Sequence, residues 1–227
     1  QSDKAPVVHA DAQMYPLTTK RPRQLGSDII REFTGETVPV DALYEELRDV
    51  SLQYGPAFQS IVKLTRNRQR GEVLATLQRP DCAGEDTGAY ILHPSLLDGC
   101  FQSALSLMET RDGAYLPVAL DAIQVFDSAQ ERIVCYTRIV SKDPARIVCD
   151  FDLADEEGNV FAAIRGLSCV ALRGKSDAGS FPKGDYQRVW NALQPLEKVD
   201  QNVGLLGVVA NPADLLADAL VEVCLSM

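Results

Sequence analysis

Apolar residues recur at three- and four-residue intervals in one segment near the middle of the chain. Leu97, Phe101, Leu105 and Met108 form this stripe, and Pro94 precedes it. Proline is favoured in a first helical turn, where its missing N–H has no partner to lose, and a stripe at this spacing is typical of a helix with one buried face. The sequence therefore predicts one long helix from Pro94 to about Met108.

Segments on both sides of this helix predict strands, because they are apolar, rich in β-branched residues and bounded by turn signals. Their short connections favour antiparallel hairpins. Two runs before a helix and four after it predict an α+β fold with the helix across the concave face of a curved antiparallel sheet. The runs are residues 57–66 and 72–79 before the helix, then 116–127, 131–142, 146–153 and 160–172 after it.

The segments before this core are less regular. Residues 5–15 contain a short β-like stretch without a hairpin partner, and residues 16–39 are rich in Pro and Gly, which predicts a linker. A short helix is predicted over residues 41–48 with Asp41 as its cap, and residues 80–90 are predicted to form a loop.

The end of the chain predicts the start of another unit. After a linker at residues 174–185, residues 203–210 are typical of a buried strand and 213–224 of a helix. One βα unit cannot bury both of its faces, so we expect the chain to be a piece of a longer polypeptide. The predicted domains are residues 1–25 (the end of a preceding unit and a linker), 26–175 (the main domain) and 176–227 (a linker and the start of an α/β domain).

Composition and charge exclude several classes of partner. The 227 residues include 22 Lys and Arg against 32 Asp and Glu, a formal net charge of −10. Nucleic acids and anionic membranes both attract clustered cations, so neither partner is expected. The six cysteines are scattered without a CxxC pair, so no metal site is expected. A reduced cytoplasmic protein is the simplest interpretation.

The candidate chemistry centres on Asp98, four positions before Gln102, because side chains at this spacing share a helix face and can hydrogen-bond. Burial beside the apolar stripe would raise the pKa of the carboxyl group by up to several units. The nearby helix N-terminus opposes this with only about 0.3–1 kcal/mol. Deep burial would therefore make Asp98 a proton donor, whereas spacing alone more often indicates an ordinary surface pair.

Only two histidines are present, His9 and His93. His93 directly precedes a proline at the predicted helix start, where capping is the simpler interpretation. His9 lies on an isolated strand-like segment without an evident catalytic constellation. No dinucleotide fingerprint, phosphate-binding loop, HExxH or GxSxG motif is present.

Two motifs in order resemble the second half of a polyketide synthase dehydratase domain. They are Tyr-Gly-Pro-Ala-Phe at residues 54–58 and His-Pro-Ser-Leu-Leu-Asp-Gly-Cys-Phe-Gln at residues 93–102, and the resemblance extends roughly over residues 5–173. It implies a double hotdog, in which each half is a long helix wrapped by an antiparallel sheet. Residues 26–175 would then be the C-terminal hotdog, and residues 1–25 would include the end of the first hotdog.

The resemblance also implies an activity. Such domains remove water from a β-hydroxyacyl chain that an acyl carrier protein holds through phosphopantetheine, and a histidine of the first hotdog takes the α-proton. Asp98 would be the acid and Gln102 its orienting partner, with no directly bound cofactor. The substrate-binding residues would be Tyr54, Gly55, Pro56, Phe58, Leu116 and Pro117.

The implied partners are the acyl carrier protein, the N-terminal hotdog, other domains of the same synthase and a second copy in a homodimer. Two departures matter: the histidine motif of the first half is absent, and Val118 follows Leu116-Pro117 where the family often has aromatics. The isolated piece should therefore not dehydrate a substrate. Residues 186–190 and 203–224 resemble the entry to a ketoreductase-type structural region.

Three alternatives remain open from the sequence. One is a non-catalytic hotdog that serves as a scaffold or binds acyl chains. Another is a product-template domain, which has the same architecture but directs ring closure by aldol chemistry. A single-hotdog thioesterase is less favoured, since nothing in the sequence positions a hydrolytic water.

Overall fold

The computed structural model describes residue 17 and residues 24–83, 90–109 and 113–171. These ranges contain α1 (Ser27–Glu32), α2 (Val40–Asp49) and α3 (Pro94–Leu105), with short 3-10 helices at Pro56–Phe58 and Asp81–Ala83. Their strands are β1 (Glu36–Val38), β2 (Ile61–Asn67), β3 (Glu72–Gln78), β4 (Tyr115–Ala119), β5 (Ala122–Val125), β6 (Arg132–Lys142), β7 (Arg146–Ala154) and β8 (Val160–Ala171). His9 and the predicted elements at residues 5–15, 174–185, 203–210 and 213–224 lie outside the described residues.

The strands form one antiparallel sheet in the order β1-β2-β3-β6-β7-β8-β4, with β5 also paired to β8. The predicted hairpins β2–β3, β6–β7 and β7–β8 are confirmed. The predicted run 116–127 is two strands, because the chain breaks at Leu120 and Asp121. Residues 57–60 also lie outside β2, since a 3-10 helix occupies part of that segment.

The central helix packs on the inner face of the sheet, against β2, β3 and β6. Strand β6 shows how the two faces differ: Ile133 and Cys135 enter the core with α3, whereas Val134 and Tyr136 belong to a second cluster on the outer face. This helix-on-sheet arrangement is the predicted α+β architecture. The helix ends at Leu105, three residues before the predicted Met108.

The predicted linker at residues 16–39 is wrong in part, because α1 and β1 form within it. The Leu25 N–H donates to the Gly158 carbonyl at 2.9 Å, and Ile30 packs where a Cβ of Gly158 would lie. Gly158 has a φ of +88°, which suits glycine. Contacts with the outer face of the sheet, rather than a local pattern, thus order this segment.

The predicted helix at residues 41–48 is confirmed as α2, which is one residue longer at each end (Val40–Asp49). Its predicted cap is wrong: Pro39 occupies the cap position, and Asp41 lies inside the first turn. The helix buries Leu43, Tyr44 and Leu47 against the core. No helix in the described part of the chain is long and apolar enough to cross a bilayer.

Candidate active site

His93 caps the helix that carries the candidate acid. Its Nδ1 accepts a hydrogen bond from the Ser95 N–H at 3.2 Å and lies 2.8 Å from the Ser95 Oγ. Burial, and secondarily the charge of Arg79, lower the pKa of His93. The predicted capping interpretation is confirmed, and the cap fixes the start of α3 at Pro94, four residues before Asp98.

Asp98 and Gln102 form the predicted pair on α3. The Gln102 Nε2 donates to the Asp98 Oδ2 at 2.6 Å, and Gln102 is fully buried. Asp98 is largely buried, and this burial raises the pKa of its carboxyl group to about 6, against the opposing effect of the Gln102 hydrogen bond. The structure confirms the hydrogen bond and the direction of the pKa shift, while the catalytic role stays a prediction.

Two further groups hold the Gln102 amide. Its Nε2 also donates to the Phe58 carbonyl at 2.9 Å, and its Oε1 accepts from the Tyr44 hydroxyl at 3.2 Å. The Ile61 N–H donates to the same hydroxyl at 3.3 Å. Because a backbone carbonyl can only accept, the amide must turn its NH2 group towards Phe58 and Asp98.

The turn before β2 contributes the first predicted motif. Its 3-10 helix presents the Phe58 carbonyl to Gln102, while the Phe58 side chain is 36% exposed. Tyr54 packs edge-on to Tyr44 with ring centroids 6.4 Å apart. Burial raises the pKa of Tyr54, and the charge of Asp98 adds to this rise. Residues 54–58 and Asp98 are therefore assembled in one place, with Gly55 at an open position.

The other predicted binding residues, Leu116 and Pro117, lie on β4 at the end of the sheet order. They pair with Val170 and Cys169 of β8. Cys169 belongs to the core cluster against which Tyr54 packs. Strand β4 is therefore linked to the Asp98 region through β8 and Tyr54.

Sequence reasoning missed Tyr44 and Gly99. A Cβ on Gly99 would overlap the Ser60 Oγ and a Leu77 methyl group, so glycine lets α3 lie against β2 and β3. The Ser60 Oγ also donates to the Ser95 carbonyl at 2.8 Å. The glycine directly after the candidate acid is a sequence signal for close packing of the helix on the sheet. Tyr44 is 58 residues from Gln102, and no sequence pattern indicates their contact.

Two clefts border α2. The first opens beside the two tyrosines, and its lining comprises Tyr44, Arg48, Leu52, Gln53, Tyr54 and Gln59. The second lies between α2 and the segment after α3, where Leu47, Leu105 and Met108 are among the lining residues. Asp98 lines neither cleft. The hydrogen-bonding partner of Asp98 thus lies within the described residues, while neither of these two clefts encloses its carboxyl group.

The described residues contain no cluster of three or more His, Cys, Asp or Glu side chains that could hold a metal ion. Five cysteines are described as free thiols, of which only Cys82 is exposed. Burial raises the pKa of both Cys149 and Cys169 to about 12, so these thiols are protonated at neutral pH.

Comparisons with known proteins agree with this architecture. The family model described as "Polyketide synthase dehydratase N-terminal domain" matches residues 23–179. The chain is 28% identical over 180 residues to polyketide synthase PksN of Bacillus subtilis and 30% identical over 159 residues to PksM of the same organism, matches that cover 74% and 66% of this chain. These segments are 3% and 4% of the two synthases.

Solved structures of dehydratase domains have the same hotdog fold. A trans-AT polyketide synthase dehydratase domain from Brevibacillus brevis is 25% identical, with a TM-score of 0.61 over 68% of this chain and 55% of that one. The dehydratase domain from the CurJ module of the curacin polyketide synthase is 24% identical, with a TM-score of 0.59 over 66% and 55%. With a family model matched over more than half of its length, the chain belongs to the polyketide synthase dehydratase family.

Proposed function

We propose that this chain supplies the acid-bearing, C-terminal hotdog of a polyketide synthase dehydratase. The observation that carries the proposal is the Asp98–Gln102 pair, in which burial raises the pKa of Asp98 to about 6. A carboxyl group with this pKa retains part of its proton near neutral pH and can donate it. The chain also spans little more than half of the dehydratase structures that it resembles, as one hotdog of a pair would.

The proposed reaction is the loss of water from a β-hydroxyacyl thioester. A base removes the α-proton, the electron pair forms the Cα–Cβ double bond, and the Cβ–O bond breaks. Asp98 gives its proton to the departing hydroxyl, which leaves as water. Because the Gln102 N–H occupies the Asp98 Oδ2, the proton to be donated belongs on Oδ1.

The base is proposed to come from the N-terminal hotdog. His93 is committed to the helix cap by its contacts with Ser95, and His9 lies outside the described residues. Crystal structures of the related curacin dehydratases include inactive mutants with a histidine replaced by phenylalanine or an aspartate replaced by asparagine. Two essential side chains of these types agree with a divided site, so this chain alone should be inactive.

The substrate is proposed to reach the site on the phosphopantetheine arm of an acyl carrier protein, without another cofactor. Tyr54, Gly55, Pro56 and Phe58 would form the wall beside Asp98, and β4, with Leu116 and Pro117, the wall beyond β8. Asp98 lines neither of the two clefts that border α2, and the preceding hotdog would close the remaining side of the site. Other synthase domains and a second copy of the synthase are the further proposed partners, in the cytoplasm.

The test is an assay of the intact dehydratase, with both hotdogs, on a β-hydroxyacyl carrier protein. Asp98→Asn should lower kcat by about 100- to 10,000-fold, the usual contribution of a positioned acid or base. Asp49→Asn removes an exposed carboxylate at the end of α2 and should leave the rate unchanged. Undiminished dehydration by the Asp98→Asn enzyme would exclude the acid role.

A non-catalytic hotdog is the second candidate function. It is favoured by one observation, the engagement of His93 in capping, which leaves Asp98 without a described histidine partner. If the region preceding this chain also lacks a histidine base, the unaltered intact domain should give no enoyl product. Binding of a carrier-linked acyl chain without turnover would then support the scaffold function.

A further inference from the structure

The Gln102 amide is held at three points. The Phe58 carbonyl accepts one amide hydrogen, the Asp98 Oδ2 accepts from the same nitrogen, and the Tyr44 hydroxyl donates to the amide oxygen. The Ile61 N–H donates to that hydroxyl and so directs the tyrosine proton towards Gln102. The result is one directed chain of hydrogen bonds from β2 through Tyr44 and Gln102 to Asp98.

Three members of this series of hydrogen bonds are buried in the core. Gln102 is 0% exposed, Ile61 1% and Tyr44 7%. A buried amide oxygen without a donor would cost about 1–3 kcal/mol, so the Tyr44 hydroxyl stabilises this one orientation of the amide. Hydrogen bonds in a chain also polarise one another, so a donor on the amide oxygen strengthens the N–H that faces Asp98.

We infer that Tyr44 is a positioning residue for the candidate acid: it acts through the Gln102 amide to keep the Asp98 Oδ2 as an acceptor and Oδ1 as the site of the proton. Only the effect of Tyr44 on catalysis rests on the proposed function. The chain of contacts itself is a property of the folded protein. Tyr44 is thus assigned a role separate from that of Tyr54, which lies beside Asp98 in the proposed pocket wall.

The titratable groups around Asp98 are few. Tyr44 of α2, Tyr54 before β2 and Cys100 of α3 lie near enough to Asp98 for its negative charge to raise the pKa of each. All three are neutral near pH 6, so Asp98 titrates there without a charged neighbour among them. A change in its pKa therefore reports hydrogen bonding and hydration.

The direct test is to measure the pKa of Asp98 by carboxyl-carbon NMR in the 227-residue chain. Tyr44→Phe keeps the ring that packs on Tyr54 but removes the hydroxyl. We expect the pKa to rise by about half a unit to one unit, because a weakened Gln102 N–H stabilises the carboxylate less. An unchanged pKa in a folded Tyr44→Phe chain would overturn the inference.

The matched control is Tyr136→Phe. The Tyr136 hydroxyl donates to the Glu72 Oε1 at 2.8 Å from the outer face of the sheet, so the same atom is lost away from the site. This variant should leave the pKa of Asp98 unchanged. An equal rise in both variants would mean that general loosening causes the shift and would refute the inference.

A double-mutant cycle identifies the route of the effect. In a Gln102→Met background, Tyr44→Phe should no longer shift the pKa of Asp98, because the amide that transmits it is gone. A shift that persists there would contradict action through Gln102. If Tyr44→Phe fails to fold, a ring-fluorinated tyrosine at position 44 is the substitute; its stronger O–H donor should lower the pKa of Asp98, and no change would again refute the inference.

Activity in the intact domain is a separate readout. Tyr44→Phe should lower kcat several-fold with little change in KM, and its pH profile should follow the shifted pKa. If Asp98→Asn leaves dehydration unaffected, the proposed function fails, while the NMR result still decides the role of Tyr44. If the pKa shift is absent but Asp98→Asn is inactive, only the inference about Tyr44 fails.

Discussion

Two networks around α3 contain buried ionisable side chains. In one of them the buried charge has counter-ions, and in the other the buried carboxyl group has only a neutral partner. Arg66, only 4% exposed, forms hydrogen bonds to both oxygens of Glu36 and of Glu46, and to the Ser106 carbonyl just after α3. Asp98, near the other end of the helix, has the neutral Gln102 amide as its partner. The hydrogen bond from Arg66 lowers the pKa of Glu36, whereas burial raises that of Asp98.

The difference separates a structural network from a candidate catalytic one. A buried charge with a counter-ion stays ionised and joins elements, here β1, β2, α2 and the end of α3. A buried carboxyl group without a counter-ion reduces its cost by keeping its proton. Perturbed acids of the second kind are concentrated at functional sites.

Breaking the Arg66 network, in which the buried charge has counter-ions, should have the largest effect on stability. Arg66→Met leaves the Ser106 carbonyl without its donor and leaves Glu46 only the longer ion pair with Arg68, at 3.8 Å. We expect a loss of about 2–4 kcal/mol in the free energy of unfolding, measured by urea denaturation. Breaking a buried pair typically costs about 3–5 kcal/mol, but Glu36, 60% exposed, can regain water. Arg132→Met breaks the surface pair with Glu156 and should cost less than about 1 kcal/mol. Equal losses in the two variants would abolish the distinction.

The Asp98–Gln102 pair, which has no counter-ion, depends on the close approach of α3 to the sheet. Gly99→Ala would force its new methyl group onto Ser60 and Leu77, and such overpacking costs about 1–3 kcal/mol. As α3 moves away, water should reach Asp98 and lower its pKa towards the ordinary value. Gly55→Ala is the control, because its new methyl group would meet nothing within 4 Å. NMR titration of Asp98 and urea denaturation test both effects, and a Gly99→Ala chain as stable as the control would contradict them.

Local sequence patterns predicted α3, α2 and most of the sheet, as well as the Asp98–Gln102 contact. That contact needs only helical geometry, since four residues make about one turn. The His93 cap was predictable for the same reason, as Ser95 is two residues away. Where both partners lie in one element, spacing alone predicts the contact.

The missed features all depend on distant partners. Helix α1 forms in a segment predicted as a linker because Leu25 and Ile30 contact Gly158, in the distant turn between β7 and β8. Tyr44 meets Gln102 across 58 residues, and no periodicity relates the two. The burial of Asp98 is likewise a tertiary property, so the sequence could predict the direction of its pKa shift only if burial was assumed.

The smallest effect, and the sharpest test of the comparison, is the pH dependence of Asp98→Asn. The pKa of Asp98 is raised in the folded state from an ordinary value of 3.8 to about 6. Well below pH 3.8 both states are protonated and no penalty exists. Between pH 3.8 and about 6 the unfolded state is ionised while the folded state keeps its proton, so stability falls across this range. Above about pH 6 the loss levels off, at a limit of about 3 kcal/mol for a two-unit shift.

The asparagine side chain in this variant has no proton to lose and can still accept from Gln102. Because Asp98 retains some contact with water, we expect Asp98→Asn to be more stable than the unaltered chain by about 1–2 kcal/mol above about pH 7 and nearly equal to it near pH 4. Glu36 contributes with the opposite sign, since a lowered pKa stabilises the fold above its ordinary value and that stability is lost in acid. Urea denaturation at about pH 4, 6 and 8, with Asp49→Asn as the exposed control, separates these contributions. A pH-independent difference would mean that Asp98 titrates normally, and the contrast with the Arg66 network would disappear.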